Sequence, residues 1–155
     1  MSHVEGVEFE CSDLDALKVA VERRGGEFMQ GQTTHAWWGR FMNDSSGMKN
    51  SAADQGFDPK TFGTCEHAIR VAGVPGRMGP SGPWEVGVVR RGEGYALVFD
   101  NIGAPGKALE QAFGRHCGVL LDEMAAELSI REMLRDGYRV NRLEVSGAIV
   151  IQAVR

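Results

Sequence analysis

Cys65 and His67 stand two residues apart in the run Cys65-Glu66-His67-Ala68-Ile69-Arg70-Val71. On a strand that spacing puts both side chains on one face. His116 and Cys117 are adjacent in a stretch of helical periodicity, about 100° apart around its axis. Brought together, the four would make a Cys₂His₂ set, which suits tetrahedral zinc. The spacing is not that of a Cys-x₂-Cys site, however. Packing accounts for the same residues more simply, with Cys65, His67, Ile69 and Val71 as the inward face of a buried strand. Nucleophilic catalysis would need a thiol facing a histidine. Cys65 with His67 satisfies that better than Cys117 with His116, because neighbours on a helix diverge. Core packing outweighs both chemistries, and the sequence calls for no cofactor.

Aromatic and basic residues offer a second kind of chemistry. Trp37, Trp38, Arg40 and Met42 are followed by Met48 in a polar stretch. Exposed together, they would form a surface for another protein, since large aromatics, Met and Arg dominate the centres of interfaces. Arg70, Arg77 and Arg90, with Arg40, make an alternative set for nucleic acid or a small anion. A net charge of −4 weakens the nucleic-acid reading, because polyanion binding rests on clustered cations. The glycines between Gly73 and Gly79 lack the Gly-Lys-Ser/Thr ending of a phosphate loop and do not open a helix.

The elements that must position these residues can be read from periodicity. Val7, Phe9 and Cys11 alternate with glutamates as a strand, and Ser12 or Asp13 caps a helix carrying Leu14, Leu17 and Val21. Ala36–Met42 reads as a strand apolar on both faces. Three more strands are expected at Cys65–Val71, Trp84–Arg90 and Gly94–Asp100, the last two joined by a tight turn at Gly92-Glu93. A long helix follows, with Leu109, Phe113, Leu120, Met124 and Leu128 on its apolar stripe. Gly114 and Gly118 invite a kink or a split in it. Asp122, Glu123, Glu127, Arg131 and Glu132 read as its solvated face. Tyr138–Val145 and Ala148–Val154 close the chain as a hairpin around Ser146-Gly147. Irregular loops are expected at 43–64 and 73–83, the second rich in Gly and Pro.

The order β-α-β-β-β-β-α-β-β implies an α+β fold in a single domain spanning 1–155. An antiparallel sheet of about five to seven strands should carry two main helices on one face, a ferredoxin-like variant being one candidate. A length of 155 residues with 43% apolar and 25% charged side chains suits such a domain. Nothing in the sequence approaches a membrane-spanning helix or a secretory leader. Cys11, Cys65 and Cys117 are odd in number and far apart, which suits free thiols in the cytoplasm.

Several words of the sequence resemble a known family. Met1-Ser2-His3, the helix opening Asp13-Leu14-Asp15-Ala16-Leu17-Lys18, Trp37-Trp38-Gly39-Arg40-Phe41 and Gly63-Thr64-Cys65-Glu66-His67-Ala68-Ile69-Arg70-Val71 are similar to domain of unknown function twelve-fifty-seven. Glu85-Val86-Gly87-Val88-Val89 and Gly137-Tyr138-Arg139-Val140 extend the likeness to the phage and bacterial branch of that family. Its other members are hypothetical proteins of red-algal chloroplasts and cyanobacteria. The resemblance implies one compact cytoplasmic domain and transfers no catalytic residue. It also implies an accessory role beside an AAA-type ATPase or, for a phage protein, a host factor. The combined expectation is a protein-binding domain, self-association included. A nucleic-acid or anion-binding module comes second, and a small metal-dependent enzyme third.

Overall fold

The computed structural model describes residues 4–9, 13–39, 58 and 60–155. Alternating Val and Glu produce strand β1 (Val4–Phe9), and Asp13 caps helix α1 (Leu14–Arg23) by accepting from the N–H groups of Asp15 and Ala16. Gly25, at φ 75°, turns the chain into β2 (Gly26–Gln30). Then follow β3 (His67–Val71), β4 (Val86–Arg91), β5 (Gly94–Asp100), α2 (Gly103–Phe113), α3 (Gly118–Arg135), β6 (Arg139–Val145) and β7 (Ala148–Val154).

The strands divide five and two, giving the expected α+β architecture. The larger sheet has the order β1-β5-β4-β3-β2, antiparallel at every step, while β6 and β7 pair with each other. β1 and β2 therefore run parallel with three strands between them, a wider version of the split β-α-β unit. Leu17, Ala20 and Val21 of α1, Leu109 and Phe113 of α2, and Leu120 of α3 pack on Ile69, Val86, Val88 and Leu97. Burying such side chains contributes roughly 1.5–3 kcal/mol each, which is what holds the helices to this face.

The second face of the sheet is also covered. Every residue of β5 is buried. His35 lies against Gly87, where a Cβ would sit 2.5 Å from its ring, and the segment Thr61–Thr64 closes over Val89 and Val98. An irregular layer thus replaces the water that one face of an antiparallel sheet commonly meets.

One expectation changes. The second strand lies at Gly26–Gln30, not at Ala36–Met42. Of the latter stretch, Ala36–Gly39 is irregular and Arg40–Met42 fall outside the described residues. Short as it is, Gly26–Gln30 forms the sheet edge because Gly26 fits beneath α1 and α2, where a Cβ would meet Val21 and Phe113. His35 and Ala36 instead bond across the irregular layer: the His35 N–H donates to Gly63, and the Ala36 carbonyl accepts from Glu85. The long helix is split, since Gly114, at φ 85°, ends α2 and leaves a single tight turn at Arg115–Cys117 before α3.

The solvated face expected of α3 is corrected too. Glu123 is 1% exposed and Glu127 is buried. Glu123 bridges Arg24, which caps the end of α1, at 2.6 Å and Arg142 of β6 at 2.5 Å, while Glu127 accepts from Arg23 at 2.9 Å and Arg131 at 3.0 Å. Helical periodicity cannot announce this, because all of the cations but Arg131 come from the end of α1 and from β6. Buried carboxylates survive when paired and hydrogen-bonded in this way.

Candidate functional site

Trp37 lies inside the irregular layer. It is 5% exposed, its ring edge-on to Phe62 at 4.6 Å and directly over Gly63. Its ring is spent on packing and presents little to a partner. Trp38 is half-buried against the edge of the main core. Arg40, Met42 and Met48 lie outside the described residues, so the expected patch is represented there by the two tryptophans alone.

The three arginines of the alternative set are each engaged in separate places. Arg70 pairs with Glu27 at 2.9 Å, and the Gly73 N–H also donates to that carboxylate. The Gly73 bond first, then Arg70, holds the Glu27 carboxyl below its ordinary range. Arg77 donates to the Gly82 carbonyl. Arg90 lies 4.8 Å over the Tyr95 ring and donates to its hydroxyl. Strand register puts Arg70 and Arg90 on opposite faces of the sheet. They do not form one anion-binding surface.

The four candidate metal ligands are also kept apart. The His67 Nδ1 accepts from the Gly31 N–H at 2.9 Å, and the Cys65 thiol reaches the Gln32 carbonyl at 3.2 Å, all beside β2 and β3. His116 and Cys117 sit at the α2–α3 break next to β1, the opposite edge of the sheet. Among the described residues no three His, Cys, Asp or Glu side chains gather as a metal would require. Burial, helped by the charge of Glu85, pushes the Cys65 thiol up to about 11. Burial, helped by Glu5, pushes Cys117 up to about 12. Both are free thiols, and both stay protonated near neutrality, which suits neither ligation nor attack.

The open surface lies elsewhere, on the hairpin of β6 and β7. Ser146 (φ 52°) and Gly147 (φ 79°) form its turn, a conformation matched to strand twist. The face carrying Arg142, Glu144, Ile149 and Ile151 meets α1 and α3 through ion pairs to Glu123 and Arg24 and across a groove of about 480 Å³. The opposite face carries Leu143, 37% exposed, Val145 at 53% and Val154 at 64%, with Val150 paired across from Leu143. Among the described residues, β6 and β7 pair only with each other. Alternation from the two-residue turn makes Val145 and Ala148 a hydrogen-bonded pair. The N–H groups of Ile149, Ile151 and Ala153 consequently point to the open edge. The Ser146-Gly147 turn marked the hairpin in the sequence, but nothing local marked which face would stay bare.

The fold and these surfaces define an α+β domain with an appended, half-covered hairpin. Comparison with models of known protein families, with curated proteins and with solved structures yields no match. No helix among the described residues is long and apolar enough to cross a membrane.

Proposed function

We propose that this chain is a small protein-binding accessory domain that associates through β7, its first partner being a second copy of itself. The observation that carries the reading is the bare outer face and open edge of the hairpin. A two-stranded hairpin is marginal in water, and proteins rarely leave a long apolar edge uncovered and uncharged. β7 reads Ala148-Ile149-Val150-Ile151-Gln152-Ala153-Val154, with no charge and no proline. Pairing it antiparallel with its own copy about a twofold axis sets no like charges opposite each other. The same pairing would satisfy the outward N–H groups and bury Val150 and Val154. Membership of domain of unknown function twelve-fifty-seven and a cytoplasmic setting belong to this proposal, supported by the sequence words and the free thiols. An AAA-type ATPase or host factor as a further partner rests on that resemblance alone.

Sedimentation velocity over a range of protein concentrations tests the pairing. The unmodified chain should shift from monomer to dimer as concentration rises. Ala153→Pro, which removes an outward N–H without breaking a bond to β6, should remain monomeric. Val145→Lys on the bare face should weaken the dimer less. A chain that stays monomeric throughout would sink the self-pairing.

A further inference from the structure

The break between α2 and α3 is strained and sits beside a pocket. Gly114 ends α2, and a Cβ at that position would press on Val119. His116 (φ 55°) and Cys117 (φ 57°) both adopt the left-handed conformation, which crowds the Cβ of a non-glycine residue. Consecutive residues of this kind persist where their surroundings hold them, often at functional sites. Here Glu5 of β1 holds His116, with Nδ1 and Oε2 2.5 Å apart. Its other oxygen accepts from the Asn101 side chain at 2.6 Å. Gly106 lets Asn101 come close, since a Cβ there would collide with the Asn101 backbone.

The Glu5 side chain is 15% exposed and that of His116 is 54% exposed. The carboxylate is therefore mostly sheltered while the imidazole reaches solvent. Beside them lies a pocket of about 350 Å³, lined also by Phe99, Leu109, Glu110 and Arg115. A carboxylate accepting from Nδ1–H fixes the neutral ring with its lone pair on Nε2. Such a nitrogen serves a metal or a proton. The metal lacks further ligands among the described residues, and the Cys117 thiol is neither thiolate nor nucleophile near neutrality. Proton transfer fits.

We propose that Glu5 and His116 form a general-base centre that hydrolyses a small ester in this pocket. The site is independent of the hairpin. A water bonded to His116 Nε2 attacks the ester carbonyl carbon. As the new C–O bond forms, the water's proton passes to Nε2 and the carbonyl electron pair moves onto oxygen. Arg115 supplies positive charge for that oxygen. Collapse breaks the bond to the leaving alkoxide, which takes the proton back from Nε2. A carboxylic acid and an alcohol leave, and the ring is neutral again. His116 is the catalytic base, and Glu5 is a positioning residue. The pocket lies at the small end of ligand sites, which favours short acyl groups.

Hydrolysis of p-nitrophenyl acetate by the full chain tests this. His116→Gln should lower the rate at least about 100-fold, the usual worth of a placed base. Glu5→Gln should lower it less. His67→Gln, at the far side of the sheet, should leave the rate unchanged and so calibrates background from a half-buried imidazole. An unchanged rate in His116→Gln overturns the proposal. Nitrogen-correlated NMR of the unmodified chain gives a second readout that needs no substrate. In the neutral ring the proton is expected on Nδ1; a neutral ring protonated on Nε2 overturns the assignment even if Glu5→Gln fails to fold.

Discussion

The five-stranded sheet and the C-terminal hairpin are built from similar antiparallel strands, yet they live in opposite surroundings. β5 is buried along its whole length, with helices on one face and the Thr61–Thr64 segment on the other. β7 has helices on one face and solvent on the other. The difference shows that strand pairing alone does not stabilise this molecule. Burial on both faces secures the large sheet, whereas the hairpin depends on Arg142 and Glu144 reaching Glu123 and Arg24. An element held by a few charged contacts and left bare outside is suited to exchange solvent for a partner.

The largest expected break comes at the crowded end of this comparison. Phe113 is fully buried beneath α1 and touches the space left by Gly26. Phe113→Ala should cost about 3–5 kcal/mol, the transfer free energy of the ring plus the cavity it leaves. Urea unfolding reads this directly. Leu143→Lys on the bare hairpin face should change the same midpoint by less than about 0.5 kcal/mol. Equal losses would mean that the hairpin face is covered in solution.

Acid should weaken the covered sheet face in a way set by His35. Burial holds this imidazole down to about 4, the Gly63 carbonyl pulling weakly in the other direction. An unfolded histidine titrates near 6.5. Between those values the unfolded chain binds a proton that the folded chain refuses, so stability falls as the solution is acidified. This loss is absent above pH of about 6.5 and reaches on the order of 3 kcal/mol near pH 4. His35→Phe keeps a flat ring against Gly87 and removes the titration. Its stability should fall less than that of the unmodified chain across this window. Parallel curves for the two proteins would show that His35 is open to water.

Much of this arrangement was legible in the sequence. Period-two alternation marked β1, the turns at Ser146-Gly147 and Gly92-Glu93 marked the C-terminal hairpin and the β4–β5 pair, and Gly114 with Gly118 marked the helix break. What stayed hidden depends on distant partners. Trp37 and Trp38 read as a central strand because they are apolar and adjacent, whereas the indole of Trp37 is seated by Gly63 and Phe62. Glu123 and Glu127 read as solvated because their cations lie on α1, on β6 and one turn along α3. The same reason conceals the pocket pair. In the sequence His116 reads as a metal ligand beside Cys117, but its partner Glu5 is 111 residues away, and only the packing of β1 against the helix break joins them.

The smallest expected effect sharpens the comparison most. Ser146 holds φ 52° in the hairpin turn, a position that asparagine tolerates better because its side chain bonds locally. Ser146→Asn creates the Asn-Gly pair favoured in such turns and should stabilise the hairpin by about 0.5 kcal/mol. Amide exchange separates two ways this can register. If the hairpin opens by itself, its amides should slow about twofold while those of β4 and β5 keep their rates. If it opens with the whole molecule, every slow amide should gain the same factor. The covering of α3 by Ile149, Ile151 and two ion pairs is slight beside the double covering of β5, so the first pattern is expected. That independence would leave the bare face free to meet a second copy without disturbing the sheet or the Glu5–His116 pocket.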